Sequence, residues 1–261
     1  MSDTQARISS NSTLCTIIPP DLLEHISRSD HVSPECRSKA GNTLRRVEHC
    51  HQIRRLVQAQ RPAGRLLAEA PTLGGLHRTL YDCKGKGGLP LDLNHDGEID
   101  PELPLRLRHL PRWEGSKLFE EGHVVTSSDD PGAVNVYNQF KSTYQFFREV
   151  FGRDSIDNKG LPLVGCVHYD EASDPHPGFF NAFFWLDVMA YGDGDGQVFR
   201  SFTDFVDITA HELTHGITGM TAELEYENQA GALNESLSDV FGSMVKQWSH
   251  LPMQQTAIEA D

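Results

Sequence analysis

The segment that most restricts this chain is Asp207-Ile208-Thr209-Ala210-His211-Glu212-Leu213-Thr214-His215. On a helix, residues four apart lie one turn from each other on the same face, so His211 and His215 project side by side. Two imidazole nitrogens placed that way can grip one Zn2+ at about 2.0–2.1 Å each. Glu212, beside the first histidine, can reach a water on such an ion without being a ligand, which suits a carboxylate to act as general base. Three fixed positions also arise by chance in a chain of 261 residues, so the motif needs support from elsewhere.

That support lies downstream. A zinc that performs chemistry wants a third protein ligand and one open position. Gly231-Ala232-Leu233-Asn234-Glu235-Ser236-Leu237-Ser238-Asp239 opens a second helix. Its apolar side holds Leu233, Leu237, Val240, Phe241, Met244, Val245 and Trp248. Glu235 and Asp239 lie four apart on the other side. Acids facing a core are costly unless paired or ligating. Glu235 is therefore expected as the third ligand, and Asp239 as acceptor for the free N–H of His211, fixing its tautomer.

Charge and cysteines narrow the class. The net charge of −14 excludes a nucleic-acid surface, which needs clustered positive charge. Met1 to Ala68 carries +4 and the remainder −18, which suggests a basic leader attracted to an acidic body; a solvated basic helix is the plainer alternative. Apolar runs stay short of the 18 residues that would suggest a spanning helix. Met1 to Ser12 lacks a basic start followed by an apolar core, so synthesis in the cytoplasm is expected, with non-classical secretion as a route out. Cys15, Cys36, Cys50, Cys83 and Cys166 are scattered without a CxxC spacing, which reads as buried free thiols in a reducing compartment.

Along the chain, a short helix is predicted after Pro19-Pro20. A second follows from Ser33, a capping residue, and Pro34, suited to the first helical position, and runs to about Gln60. Arg61-Pro62-Ala63-Gly64 marks a linker. From Leu76 to Val206 short strand-like runs prevail, for example Leu161 to His168 and Gly196 to Phe202, interrupted by a helix at Ala133 to Phe151. After Phe205 the pattern is helical.

HELTHG, with Glu235 nineteen intervening residues beyond His215 inside GALNESLSDVFG, resembles the thermolysin family of zinc metalloendopeptidases. Similar segments occur upstream in family order: Phe151 to Asp157, Val167-His168-Tyr169, Asn181-Ala182-Phe183 and Tyr191 to Gly196. The leader from Ile18-Pro19-Pro20 to Gln60 resembles the short propeptide of the protealysin-like subgroup.

The resemblance implies a zincin-like α+β fold with a helical propeptide at 1–68, a β-rich N-terminal lobe at 69–205 and a partial α-helical lobe at 206–261. It implies a neutral endopeptidase precursor in which Glu212 takes a proton from zinc-bound water and Tyr226 donates to the developing oxyanion. Asn181 and Ala182 would hold substrate backbone by strand addition, and Asn234 would support His215. Protein or peptide substrates follow, with apolar side chains after the scissile bond. The chain's own leader would be a further partner, cleaved between Gly64 and Leu73. Asp207 matches a calcium ligand, but Lys246 stands where the family places an adjacent acid, so a double calcium site is not expected.

Three departures matter. NAFFWLD at Asn181 to Asp187 replaces the family's NAFWNG. An added stretch, Asp92 to Asp100, sets Asp92, Asn94 and Asp96 at alternate positions before Gly97, like the first half of a calcium loop. Its twelfth position is Leu103, so calcium loop and acidic turn both stay open. The sequence ends at Asp261, inside a segment that family members continue, and no histidine follows His250 to assist Tyr226. A catalytically silent zinc-binding fragment is thus the alternative; a zinc aminopeptidase would need an acidic anchor for the substrate amine, and none is distinctive.

Overall fold

The computed structural model describes residues 17–59, 74–84, 115–170, 178–185, 188–224 and 228–250, with backbone alone for 49–59. Two helices lead, α1 (Pro20–Arg28) and α2 (Pro34–Ala59). Strands β1 (Arg78–Asp82) and β2 (Ser116–Glu120) precede α3 (Pro131–Phe151). Then come β3 (Leu163–Val167), β4 (Ala182–Trp185), β5 (Val188–Tyr191), α4 (Val206–Thr221) and α5 (Asn228–Ser249). The architecture is α+β.

Local chemistry explains the helix ends. Ser33 Oγ accepts from Cys36 N at 3.1 Å, and Asp130 Oδ1 accepts from Ala133 N at 2.7 Å with Pro131 just inside α3. Gly152 closes α3 in the left-handed conformation, φ 67°.

The strands form one sheet in the order β2-β1-β3-β5-β4. β1/β3 and β3/β5 are parallel, while β1/β2 and β4/β5 are antiparallel. Every residue of β3, β4 and β5 is buried, as expected of strands covered on both faces. Alternation assigns the faces. Val164, Cys166, Phe183, Trp185, Val188 and Ala190 pack with Leu23, Ile26, Cys36, Ala40 and Val47 of the leader. Leu163, Val167, Ala182, Phe184, Met189 and Tyr191 pack with Val136, Phe140 and Leu213 of α3 and α4. The leader is thus a layer of the core, while the ion pairs of Arg28 and Lys39 are made with Glu24 and Glu35 of the leader itself.

Three expectations need correction. Gly196 to Ser201 is a loop and Phe202 opens a single 3-10 turn: Asp195 Oδ1 accepts from the amides of Gln197, Val198 and Phe199, which curls the backbone away from any strand. Cys83 and Cys166 are joined by a disulfide, because β1 and β3 are neighbours and bring their Cα atoms to 5.7 Å. Cys36 is a buried free thiol, and burial together with Asp195 pushes its pKa up to about 11. In α5 the expected apolar side is only partly buried: Val245 is buried and Phe241 and Trp248 pack with Phe146 and Phe147 of α3 and Ala210 of α4, but the rest is not covered. Leu233, Val240 and Met244 are 50%, 50% and 39% exposed, whereas Gly231, Asn234, Ser238, Gly242 and Val245 are buried. Small residues win this seam because α4 comes too close for large ones. A Cβ on Gly242 would stand 2.8 Å from the carbonyl oxygen of Asp207.

Candidate metal centre

α4 lies between the sheet edge and α5. Gly216, just after His215, permits this approach, since a Cβ there would meet Ile156 and Phe184 at 2.9 Å. His211, Glu212 and His215 are accordingly 7%, 0% and 2% exposed. Leaving such groups in a core is costly unless each has a partner.

Asp239 Oδ1 lies 2.9 Å from His211 Nδ1, and Asn234 Oδ1 lies 2.9 Å from His215 Nδ1. A carboxylate can only accept and the Asn234 contact is through its carbonyl oxygen, so both Nδ1 atoms carry the proton and both Nε2 atoms present lone pairs. Those lone pairs face each other at 2.9 Å, and Glu235 Oε2 lies 3.5 Å from one and 3.7 Å from the other. Three electron-pair donors do not converge stably without a cation between them. Atoms at these separations lie on a circle of radius about 2.0 Å, which is the Zn–N and Zn–O bond length. The residues present therefore fit a zinc ion held by His211, His215 and Glu235.

The surrounding charge agrees. Burial pulls the His211 pKa down, but Glu235, Glu212 and Asp239 outweigh it and the net shift is upward. Positive charge is welcome here. Asp239 does its part from the surface, its side chain 77% exposed, rather than from the core position the sequence suggested.

Glu212 is set apart from the three donors by its own anchor: its Oε2 accepts from Phe184 N at 3.0 Å. This ties the carboxylate to edge strand β4. Just before β4, the Asn181 side chain exchanges two hydrogen bonds with the leader, accepting from Ile18 N and donating to Ile18 O, both at 3.0 Å. Asn181 Oδ1 also accepts from Ala182 N at 3.0 Å. Leader helix α2 grips the same stretch, with Thr43 Oγ1 accepting from Phe180 N at 3.0 Å.

The remaining expected site residues fall elsewhere. Asp207 Oδ2 receives Lys246 Nζ at 2.7 Å, so an ammonium occupies the place the resemblance gave to calcium. Tyr226, Asp92, Asn94 and Asp96 lie outside the described residues. Sequence reasoning missed three participants. Ser238 Oγ lies 2.9 Å from His215 Nδ1, and its position four residues after Asn234 was the available clue. Thr209 and Tyr191 meet at 3.0 Å beneath α4, with no local signal.

Comparison with known proteins gives this geometry its context. The family model "Thermolysin metallopeptidase, catalytic domain" matches residues 92–219, and "Thermolysin metallopeptidase, alpha-helical domain" matches 222–258. An extracellular metalloprotease of Pectobacterium carotovorum subsp. carotovorum is 38% identical over 95% of this chain and 59% of its own length. Protease PrtS of Photorhabdus sp. (strain Az29) is 33% identical over 91% of this chain and 54% of its own. The solved precursor of protealysin, a metalloproteinase from Serratia proteamaculans, superposes with a TM-score of 0.62 at 33% identity, over 90% of this chain and 56% of that one. The chain thus spans between 54% and 59% of these relatives' length. With two matched domain models laid end to end around a His-His-Glu centre, the chain belongs to the thermolysin family of metallopeptidases.

Proposed function

We propose that the chain is a zinc-dependent neutral metalloendopeptidase in precursor form, its leader seated where a substrate strand would lie. The observation that carries this is the convergence of His211 Nε2, His215 Nε2 and Glu235 Oε2 beside the strand-anchored Glu212. A zinc held by those three would polarise a peptide carbonyl and acidify a water.

The chain's own residues do the rest. Phe184 N fixes Glu212 Oε2, so the carboxylate is oriented before substrate arrives. Glu212 is fully buried, and there it takes a proton from the attacking water and returns it to the departing amine nitrogen. Tyr226 is assigned as donor to the developing oxyanion on the family resemblance. Asn181 offers one acceptor and one donor in the spacing of an extended peptide, which is how it holds Ile18 and how it would hold substrate backbone.

The leader is therefore an inhibitor as well as a packing layer. We assign the leader to 1–68, the β-rich lobe to 69–205 and the zinc-bearing helices to 206–261. We also propose that the protein acts after leaving the cytoplasm in which it is made; the Cys83–Cys166 disulfide favours an oxidising compartment. Calcium has no part in this reading at Asp207, whose partner is Lys246.

The test is casein hydrolysis by the full chain after leader cleavage, with metal content measured alongside. Activity that a zinc chelator abolishes and added zinc restores is expected. Stoichiometric zinc without hydrolysis, unchanged in Glu212→Gln, would instead mark a silent metal-binding fragment.

A further inference from the structure

Beneath the metal centre runs a buried polar chain that the mechanism leaves unused. Gln139 Nε2 donates to Thr203 O at 2.8 Å, Thr209 Oγ1 donates to Gln139 Oε1 at 2.5 Å, and Tyr191 OH meets Thr209 Oγ1 at 3.0 Å. Its direction is determined. A backbone carbonyl only accepts, so the Gln139 amide nitrogen faces Thr203 and its oxygen faces Thr209; Thr209 spends its proton on that oxygen, and Tyr191 must donate to Thr209. Tyr191 and Thr209 are fully buried and Gln139 is 8% exposed. Burial also raises the Tyr191 pKa well above the usual tyrosine range, so the phenol keeps its proton.

The chain joins three elements, α3 through Gln139, β5 through Tyr191 and α4 through Thr209. Thr209 stands three residues before Glu212 and therefore on the same face of α4. The contact between α4 and the sheet edge is otherwise made by apolar groups such as Leu213, Ala182, Phe184 and Met189. Apolar burial is non-directional and does not by itself fix how far a helix slides along a sheet. Directed bonds do. Two cross this contact among the described residues: Tyr191 OH to Thr209 Oγ1, and Phe184 N to Glu212 Oε2.

We propose that Thr209, held between Tyr191 and Gln139, is a positioning residue that sets the register of α4 against β4 and so aims the Glu212 carboxylate. The proposal rests on the reading of Glu212 as the general base. Its consequence is that the two directed bonds are coupled: releasing Thr209 loosens the Phe184–Glu212 bond one turn away.

Amide hydrogen exchange on the full chain tests this, comparing Thr209→Val, which keeps the shape, with Thr209→Ser, which keeps the hydroxyl. In Thr209→Val the Phe184 amide is expected to exchange about tenfold faster, while Thr209→Ser matches the unaltered chain. The Leu163 amide, bonded to His77 O at 2.7 Å at the start of central strand β3 and two strands from β4, serves as the reference and stays unchanged. Should Thr209→Val not fold, Tyr191→Phe removes the same bond from the other side and carries the same expectation. In the cleaved protein, turnover falls in the Val variant with KM unmoved. Val and Ser variants that exchange alike, or a Leu163 amide that accelerates together with Phe184, would overturn the proposal. If the amide pattern holds but the unaltered chain hydrolyses nothing, the peptidase reading fails and the coupling stands.

Discussion

Asn181 holds Ile18 with both ends of its side-chain amide, one bond received and one given at 3.0 Å each. A side chain that satisfies both backbone groups of one leader residue recognises extended peptide irrespective of sequence. Ile18→Pro deletes the N–H donor, whereas Ile18→Ala keeps both backbone bonds and loses apolar contact alone. The Pro variant should lose about 1 kcal/mol of leader docking more than the bond-preserving backbone predicts, seen as faster release of the leader under limited proteolysis. Equal release rates for Ala and Pro would mean that the bond from Ile18 N–H to Asn181 contributes nothing.

Glu212 is anchored through Oε2 but is not one of the three converging donors. Glu212→Gln retains an oxygen that can accept from Phe184 N, so the fold and the metal site should persist. Hydrolysis should drop by about 10^2–10^4-fold, with zinc content unchanged. Loss of zinc along with activity would instead make Glu212 part of the metal-binding set.

What could be read from the sequence was what is local. The i, i+4 spacing of His211 and His215, the cap at Ser33, and the helical period of α3, read from Ala133 where the helix begins at Pro131, all depend on neighbours along the chain, and each needs no knowledge of the sheet. What could not be read is set by pairing at a distance. Cys83 and Cys166 are 83 residues apart and meet because β1 lies beside β3. The seam of α5 against α4 follows the small residues Gly231, Ser238 and Gly242, because α4 decides the spacing; hydrophobicity along α5 found Val245, Phe241 and Trp248, which pack against α3, but not that Leu233, Val240 and Met244 stay exposed. Likewise the leader's helices were legible, but that they cover Val164, Cys166 and Trp185 of the sheet was not.

His168 lies between two carboxylates, 2.9 Å from Asp193 and 3.2 Å from Asp130, and joins the loop after β5 to the N-cap of α3. The hydrogen bond to Asp193 is the main cause that raises its pKa, to about 9 against 6.5, over the opposing effect of burial. The folded value exceeds the unfolded one, so the stabilisation is fully present below pH 6.5 and disappears as pH rises through about 9. Thermal melts between pH 6 and pH 10 should show this loss in the unaltered chain and a flatter profile in His168→Gln. Parallel profiles would remove His168 from the account.

The Cys83–Cys166 disulfide closes a loop of 83 residues' separation, and cross-links of that span restrict the unfolded chain strongly. Replacing both cysteines by alanine should cost about 2–4 kcal/mol in denaturant unfolding. Dithiothreitol should lower the stability of the unaltered chain and leave the double variant unmoved. A reductant effect of equal size on both would point to another cause.

Gly242 offers the sharpest separation of helix packing from helix propensity. A methyl group there would stand 2.8 Å from Asp207 O and 3.4 Å from His211 Cβ, so Gly242→Ala must push α5 away from α4. Glu235 rides on α5 and the two histidines on α4, so the displacement spreads the three metal donors. Overpacking of this kind costs about 1–3 kcal/mol, and zinc affinity measured by chelator competition should fall by about tenfold or more. Gly219 is the internal control, since a Cβ there meets nothing within 4 Å. Gly219→Ala should stabilise by about 0.5–1 kcal/mol through helix propensity and leave zinc affinity alone. If Gly242→Ala binds zinc as tightly as Gly219→Ala, the close approach of α4 and α5 is not what holds the donors together.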